Sequence, residues 1–268
     1  VYDLMFVLDQ EADETGSDNE TVVRWNALIN GEKQEITAKV GDLAEFTMYY
    51  KVQEDSKGRL SATSFSSNMN NGTVRHGADG MASGTVSYAG GTLSLGGAGF
   101  RTDSSTTVYL ITDDPNLTRD NTADADYQVY TYTPSGLGNL LRNYDVTGAD
   151  WFGVTTSSDS TLLTSVYLYI ESGNASPVYS IAAPSAITTA GGTTVSATVQ
   201  SQAEESDSVT VNITTTGTAL ANNQRIEILN GTTVLCSQVG DGSATSFSPS
   251  FTMPAGNVSL TMRVVTLY

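Results

Sequence analysis

Polar and apolar residues alternate at every second position in short runs, and Gly, Asn or Asp ends each run, the pattern of half-buried antiparallel strands. The clearest early runs are "VYDLMFVLD" at residues 1–9 and "AEFTMYYKVQ" at 44–53. Further strands are expected at 59–66, 84–88, 91–95, 106–112, 127–133, 151–156 and 162–171. Asn30-Gly31, between "WNALI" and "EKQEITAKV", and Asn230-Gly231, between "QRIEIL" and "TTVLCSQV", tolerate the positive φ angles of a type I′ hairpin. The exception is "PSGLGNLLRNY", 134–144, where Leu137, Leu140, Leu141 and Tyr144 recur at spacings of three and four and Pro134 or Ser135 opens a first turn. Its two glycines oppose helix formation. The fold class expected is all-β with one short helix.

The chain is long enough for two domains, each with its own core. A boundary is expected near "ESGNASPVYSIAAPSAITTAGG", 171–192, where two prolines and small residues interrupt the strands and aromatic content falls. This divides the chain into a β-rich module at 1–176 and a β-sandwich at 177–268, where about six or seven Thr/Val-rich strands match the count of an immunoglobulin-like fold. "FTMPAGNVSL", 251–260, reads as a closing hairpin: Pro254 cannot donate to a ladder, so the strand stops at Met253, and Ala255, Gly256 and Asn257 reverse it. "VYDLMFVLD" also echoes "SVYLYIES" at 165–172, so that Val1 would begin the closing strand of a preceding module in a tandem array.

Charge restricts the partners. Twenty-nine acidic against twelve basic residues give a net charge of −17, which repels nucleic acid and anionic lipid. No apolar run approaches the roughly 20 residues that span a bilayer, so no membrane insertion is expected. No signal sequence opens the chain, which reads as a mature secreted protein or a piece of a larger one. Cys236 alone cannot form an internal disulfide and reads as a small buried hydrophobe.

The stretch "YQVYTYTPSGLGNLLRNYDVTGADWFGVTTSSDSTLLTSVYLYIES", 127–172, resembles modules of large surface proteins of Gram-positive bacteria, the kind that carry S-layer homology anchors. "GTLSLGGAGFRTDSSTTVYLITDD", 91–114, and "ALINGEKQEIT", 27–37, look like earlier strands of the same module, and "SFTMPAGNVSL" is similar to the end of Ig-like bacterial repeats. The resemblance implies an exported, repetitive setting at the cell wall, with any anchor outside these residues. The role expected of such a chain is a non-enzymatic structural or adhesive one, as spacer, display or assembly module. Its partners would be neighbouring modules, copies of the same protein, or cell-wall or host glycan. A carbohydrate-binding accessory module is the alternative.

Candidate chemistry is sparse. In "DQEADETGSDNE", 9–20, Asp9, Glu11, Asp13 and Glu20 fall at positions 1, 3, 5 and 12 of a calcium-loop spacing. Glu14 stands where that motif wants Gly, and a solvated acidic loop is the competing reading. No other cofactor is implied. A second acidic stretch, "DDPNLTRDNTADAD" at 113–126, matches no ordered motif. His76 is the only histidine, which rules out a multi-histidine zinc site and leaves one base for any triad. Trp25, Tyr49, Tyr50, Trp151 and Phe152 are the candidates for a sugar-stacking platform, with core packing as their competing role. Surface proteins of the kind the chain resembles sometimes carry Lys-Asn isopeptide crosslinks, and in the first domain Lys51 is the one lysine set in an apolar strand.

Overall fold

The structure, a computed structural model, describes residues 4–15, 20–64, 74–75, 82–118, 127–155 and 158–268. The fold is all-β with a single helix among the described residues, and it divides into two compact units, Val1–Ser176 and Pro177–Tyr268.

In the first unit, β1 (Leu4–Thr15), β2 (Thr21–Ile29), β3 (Glu32–Lys39), β4 (Thr47–Glu54) and β5 (Arg59–Ser64) close a barrel in the order β1-β2-β3-β5-β4. β1 seals against β4, and β3 runs parallel to β5. Alternation assigns the two faces of each strand. Met5, Val7, Trp25, Ala27 and Ile36 fill the interior, while Phe6, Leu8, Leu28 and Met48, one position out of phase, build a second core outside it. The β2–β3 turn is the expected type I′ hairpin, with Asn30 at φ 51° and Gly31 at φ 88°.

Beyond the barrel come β6 (Val74–Arg75), β7 (Ala82–Gly84), β8 (Val86–Ala89), β9 (Thr92–Leu95) and β10 (Ala98–Arg101). They are followed by β11 (Thr107–Thr112), β12 (Gln128–Tyr132), α1 (Pro134–Leu141), β13 (Tyr144–Val146), β14 (Ala149–Thr155) and β15 (Leu163–Ile170). The central sheet runs β12-β11-β15-β14-β6, with β7 also on β14. Its middle pair, β11 and β15, is parallel rather than antiparallel as the alternation suggests. Both faces of β15 are covered, which is where parallel strands survive. Tyr167 and Tyr169 pack with Phe6 and Leu28 on the barrel side, and Val166, Leu168 and Ile170 enter the opposite core with Leu93 and Leu137. Threonines tie both ends of the pair: Thr106 Oγ1 donates to the Leu163 carbonyl (2.7 Å) and Thr112 Oγ1 to that of Ile170 (2.7 Å).

The glycine-rich stretch at 90–100 is a three-stranded meander, β8-β9-β10. Gly90-Gly91 and Gly96-Gly97 take positive φ at its two turns. In α1, Thr133 is the cap, its Oγ1 accepting from the Gly136 N–H (3.1 Å), one residue before the expected start. The helix stops at Leu141 and Tyr144 already belongs to β13, so the last turn expected at 142–144 does not form. Gly138 is explained by contact: a Cβ there would lie 2.4 Å from the Tyr88 ring.

The second unit holds β16 (Ala175–Ala182), β17 (Ile187–Thr188), β18 (Thr194–Thr198), β19 (Gln202–Glu204), β20 (Ser208–Thr210) and β21 (Asn212–Thr216). Then follow β22 (Gln224–Asn230), β23 (Thr233–Val239), β24 (Ser246–Phe247), β25 (Ser250–Thr252) and β26 (Val258–Thr266). One sheet contains β16-β26-β22-β23, with β19 also on β16, and the other runs β17-β18-β21-β24 beside a β20-β25 pair. Both line one core that includes Val195, Ile213, Ile226, Ile228, Phe251 and Leu260, a β-sandwich. Its strand order differs from the ABED and CFG sheets of an immunoglobulin domain. Val211 separates β20 from β21, and its N–H donates to the carbonyl of Pro249, which lies between β24 and β25.

Two expected hairpins change. In "FTMPAGNVSL", β25 pairs with β20, whereas β26 pairs with β22 and, in parallel, with β16. The segment is therefore a crossover between sheets. Met253 is buried, bonded through both backbone groups to Ser206 and Asp207, and Pro254 lacks the N–H that would extend the ladder. At the β22–β23 turn, Asn230 stays in its strand opposite Thr233, so the two-residue loop is Gly231 and Thr232 and only Gly231 has positive φ (59°).

Candidate functional site

Asp9, Glu11 and Asp13 lie on β1, which continues as strand to Thr15 where an acidic loop was expected. Asp9 stands opposite Asn26 and Asp13 opposite Val23, so an extended backbone separates the two by about 13 Å. Glu11 Oε1 accepts from Asn26 Nδ2 (2.5 Å). Glu20 turns to cations instead, with Arg59 at 2.5 Å and Lys39 at 3.5 Å, and Asp55 holds the other side of Arg59 at 2.7 Å. The backbone at Asp9, Glu11 and Asp13 is thus strand and Glu20 belongs to an ion-pair network, while residues 16–19 and the side chain of Asp13 lie outside the described residues. Among the described residues, no group of three or more His, Cys, Asp or Glu is placed to hold a metal ion. His76 and Asp120, Asp124 and Asp126 of the second acidic stretch lie outside the described residues, as does the side chain of Lys51 on β4.

The two remaining acids of that stretch have structural work. Asp114 is fully buried, and its carboxylate accepts from the N–H groups of Asn116 (2.9 Å), Gly173 (3.1 Å) and Ala175 (3.1 Å). Asp113 accepts from the Ser172 N–H at 2.6 Å. Together they clamp the turn after β15 to the end of β11.

Of the platform aromatics, Trp25 and Tyr49 are in the barrel interior, Trp151 and Phe152 are buried on opposite faces of β14, and Tyr50 is half-buried. Alternation could not separate a stacking ring from a core ring. A different aromatic group, buried Tyr169 with half-buried Phe46 and Tyr127, gathers at the end of β15. Phe46, at φ 50°, stacks on Tyr169 (centroids 4.6 Å, 15°), and Tyr127 meets both rings edge-on. The Tyr169 hydroxyl donates to that of Tyr127 at 3.4 Å. Burial raises both phenols above their usual range, and the nearby charges of Asp113 and Glu171 push the same way, so both stay neutral hydrogen-bonding groups.

Two concavities flank this cluster. A cleft of about 460 Å3 runs along residues 127–131 and is closed on the other side by Leu28, Gly31 and Lys33 of the β2–β3 hairpin. A smaller one of about 260 Å3 is lined by Gly148, Ala149, Asp150, Tyr169, Glu171 and Asn174. Phenols, amides and the Lys33 ammonium line the first, and the Tyr169 phenol, the Asn174 amide and the carboxylates of Asp150 and Glu171 the second, groups that suit stacking and hydrogen bonding.

Carboxylates elsewhere are held ionised. Backbone N–H groups of Arg59 and Lys57, together with the Arg59 guanidinium, lower Asp55 to about 2. Ser105 lowers Asp103, Thr161 lowers Asp159, and the Ala244 and Ser243 N–H groups lower Asp241. Glu227 is lowered first by Arg263 and then by Arg225, which enclose it on the sheet face. No family model matches the chain, and neither a curated protein nor a solved structure is similar to it.

Proposed function

We propose that the chain is a non-enzymatic structural or adhesive segment of a bacterial cell-surface protein, serving as spacer, display or assembly module. The observation that carries this reading is the use made of the acids. Asp55, Asp103, Asp159 and Asp241 each staple a turn through neighbouring N–H or hydroxyl groups, and among the described residues the carboxyls moved from their ordinary range, Glu227 with these four, are moved downward. A general acid at neutral pH needs the opposite shift. Acidity here fixes connections and keeps the exterior charged, as suits a rigid segment in an exposed setting. The sequence resemblance to Gram-positive surface modules supports the location. Antibody against the folded chain should label intact cells of the source bacterium, and mild protease treatment of those cells should remove the label. Labelling that requires lysis contradicts the proposal.

A carbohydrate-binding module is the second reading, favoured by the barrel. Its order, with β3 parallel to β5, is that of an OB-type Greek-key barrel, a scaffold that binds oligosaccharides at its β2–β3 face and adjoining loops. The cleft between the β2–β3 hairpin and Tyr127 gives such a ligand a ring to stack on. Glycan-array binding that is lost on Tyr127→Ala would select this reading.

A further inference from the structure

We propose that β23 is the edge through which two copies of this chain join, antiparallel, into one continuous sheet; the inference rests on the assembly role above and names the surface that performs it. β23 ends its sheet, bonded to β22 on one side, and although β25 lies near it, among the described residues no backbone hydrogen bond joins residues 233–239 to a strand other than β22. Away from β22 the strand presents peptide donors and acceptors; the Val239 carbonyl already accepts from Gln238 Nε2 (3.0 Å), and another extended backbone would satisfy the others as a set.

Other strand edges of the same unit are protected in the usual ways. β17 and β24 have two residues each, Pro249 follows β24 closely, and β16 is covered over part of its length by β19. β23 has seven residues, "TVLCSQV", with no charge and no proline. Val234 and Val239 on it are 40% and 41% exposed, among the few large apolar side chains so open in the described residues. The register shift at Ile228/Leu229 bends the strand near its turn and leaves residues 236–239 in regular pairing.

Charge favours a second copy as the occupant. The second unit has five acids, Glu204, Glu205, Asp207, Glu227 and Asp241, against Arg225 and Arg263, so most of the chain's charge of −17 lies in the first. Glu227, on the strand next to the edge, is neutralised by both arginines. Two uncharged edges brought together by a twofold axis meet no like charges, and antiparallel pairing needs nothing from the partner that the edge does not itself carry. Repulsion comes from the charged remainder, which salt screens, so association should strengthen with ionic strength.

Sedimentation velocity of the full chain over a concentration series, at low and high salt, tests this. The expected result is a monomer–dimer equilibrium that shifts to dimer in salt and weakens by about tenfold or more in Ser237→Lys and Val239→Lys, which set charges on the edge. Val40→Lys, an equally exposed valine in the first unit, should leave it unchanged. Thermal melts of the variants confirm that each still folds. A chain that is monomeric throughout, a dimer indifferent to both β23 charges, or equal loss in Val40→Lys each overturns the proposal. None of these outcomes alters labelling of intact cells, so this inference and the surface role fail separately.

Discussion

Asp55 shows what a single acid does in this chain. It caps the turn between β4 and β5, accepting from the N–H groups of Lys57 (2.8 Å) and Arg59 (3.0 Å) and from the Arg59 side chain. Its pKa falls from 3.8 to about 2, so the stability it contributes is complete above the unfolded value and is lost as pH drops through the folded one. Hydrogen exchange of the β4–β5 amides should accelerate between pH 4 and 2 relative to an Asp55→Asn variant, which has no carboxyl to titrate. Gly31 is the matching case for backbone. It combines φ 88° with a Tyr109 hydroxyl 2.1 Å from where a Cβ would sit, so Gly31→Ala should cost about 1–3 kcal/mol in a denaturant melt. The hairpin at Asn30-Gly31 was legible because both residues must tolerate positive φ. The same dipeptide at Asn230-Gly231 was legible only as a turn, since a shift of one residue in pairing moves Asn230 into β22.

At the scale of elements, β15 carries the first unit. It lies between two cores, and Leu168, fully buried with Leu137 and Leu93, joins the central sheet to the helix and the glycine meander. Leu168→Ala should lower the stability of this unit by about 2–5 kcal/mol, read as a reduced midpoint in urea without change in the transition of residues 177–268. The positions of most strands followed from alternation, but their partners did not. A period of two is common to parallel and antiparallel strands, so the β11–β15, β3–β5 and β16–β26 pairings had no local signal. "FTMPAGNVSL" failed for a related reason. Its turn chemistry stops a strand correctly at Met253, yet whether the chain then reverses or changes sheet depends on Ser206 and Asp207, distant in sequence. The aromatic cluster of Phe46, Tyr127 and Tyr169 was hidden likewise, because three separate segments assemble it.

For the whole molecule, two bodies with their own cores follow one another along the chain, and neither depends on a disulfide. A spacer of this kind resists extension by shearing ladders of hydrogen bonds, and each body should yield as a unit. Pulling a single molecule by its ends is therefore the most direct test of the scaffold account. It predicts two separate rupture events that lengthen the chain by about 60 nm and about 30 nm, the extended lengths of Val1–Ser176 and Pro177–Tyr268. Smooth extension at low force, or one event releasing the full length of about 90 nm, would contradict it.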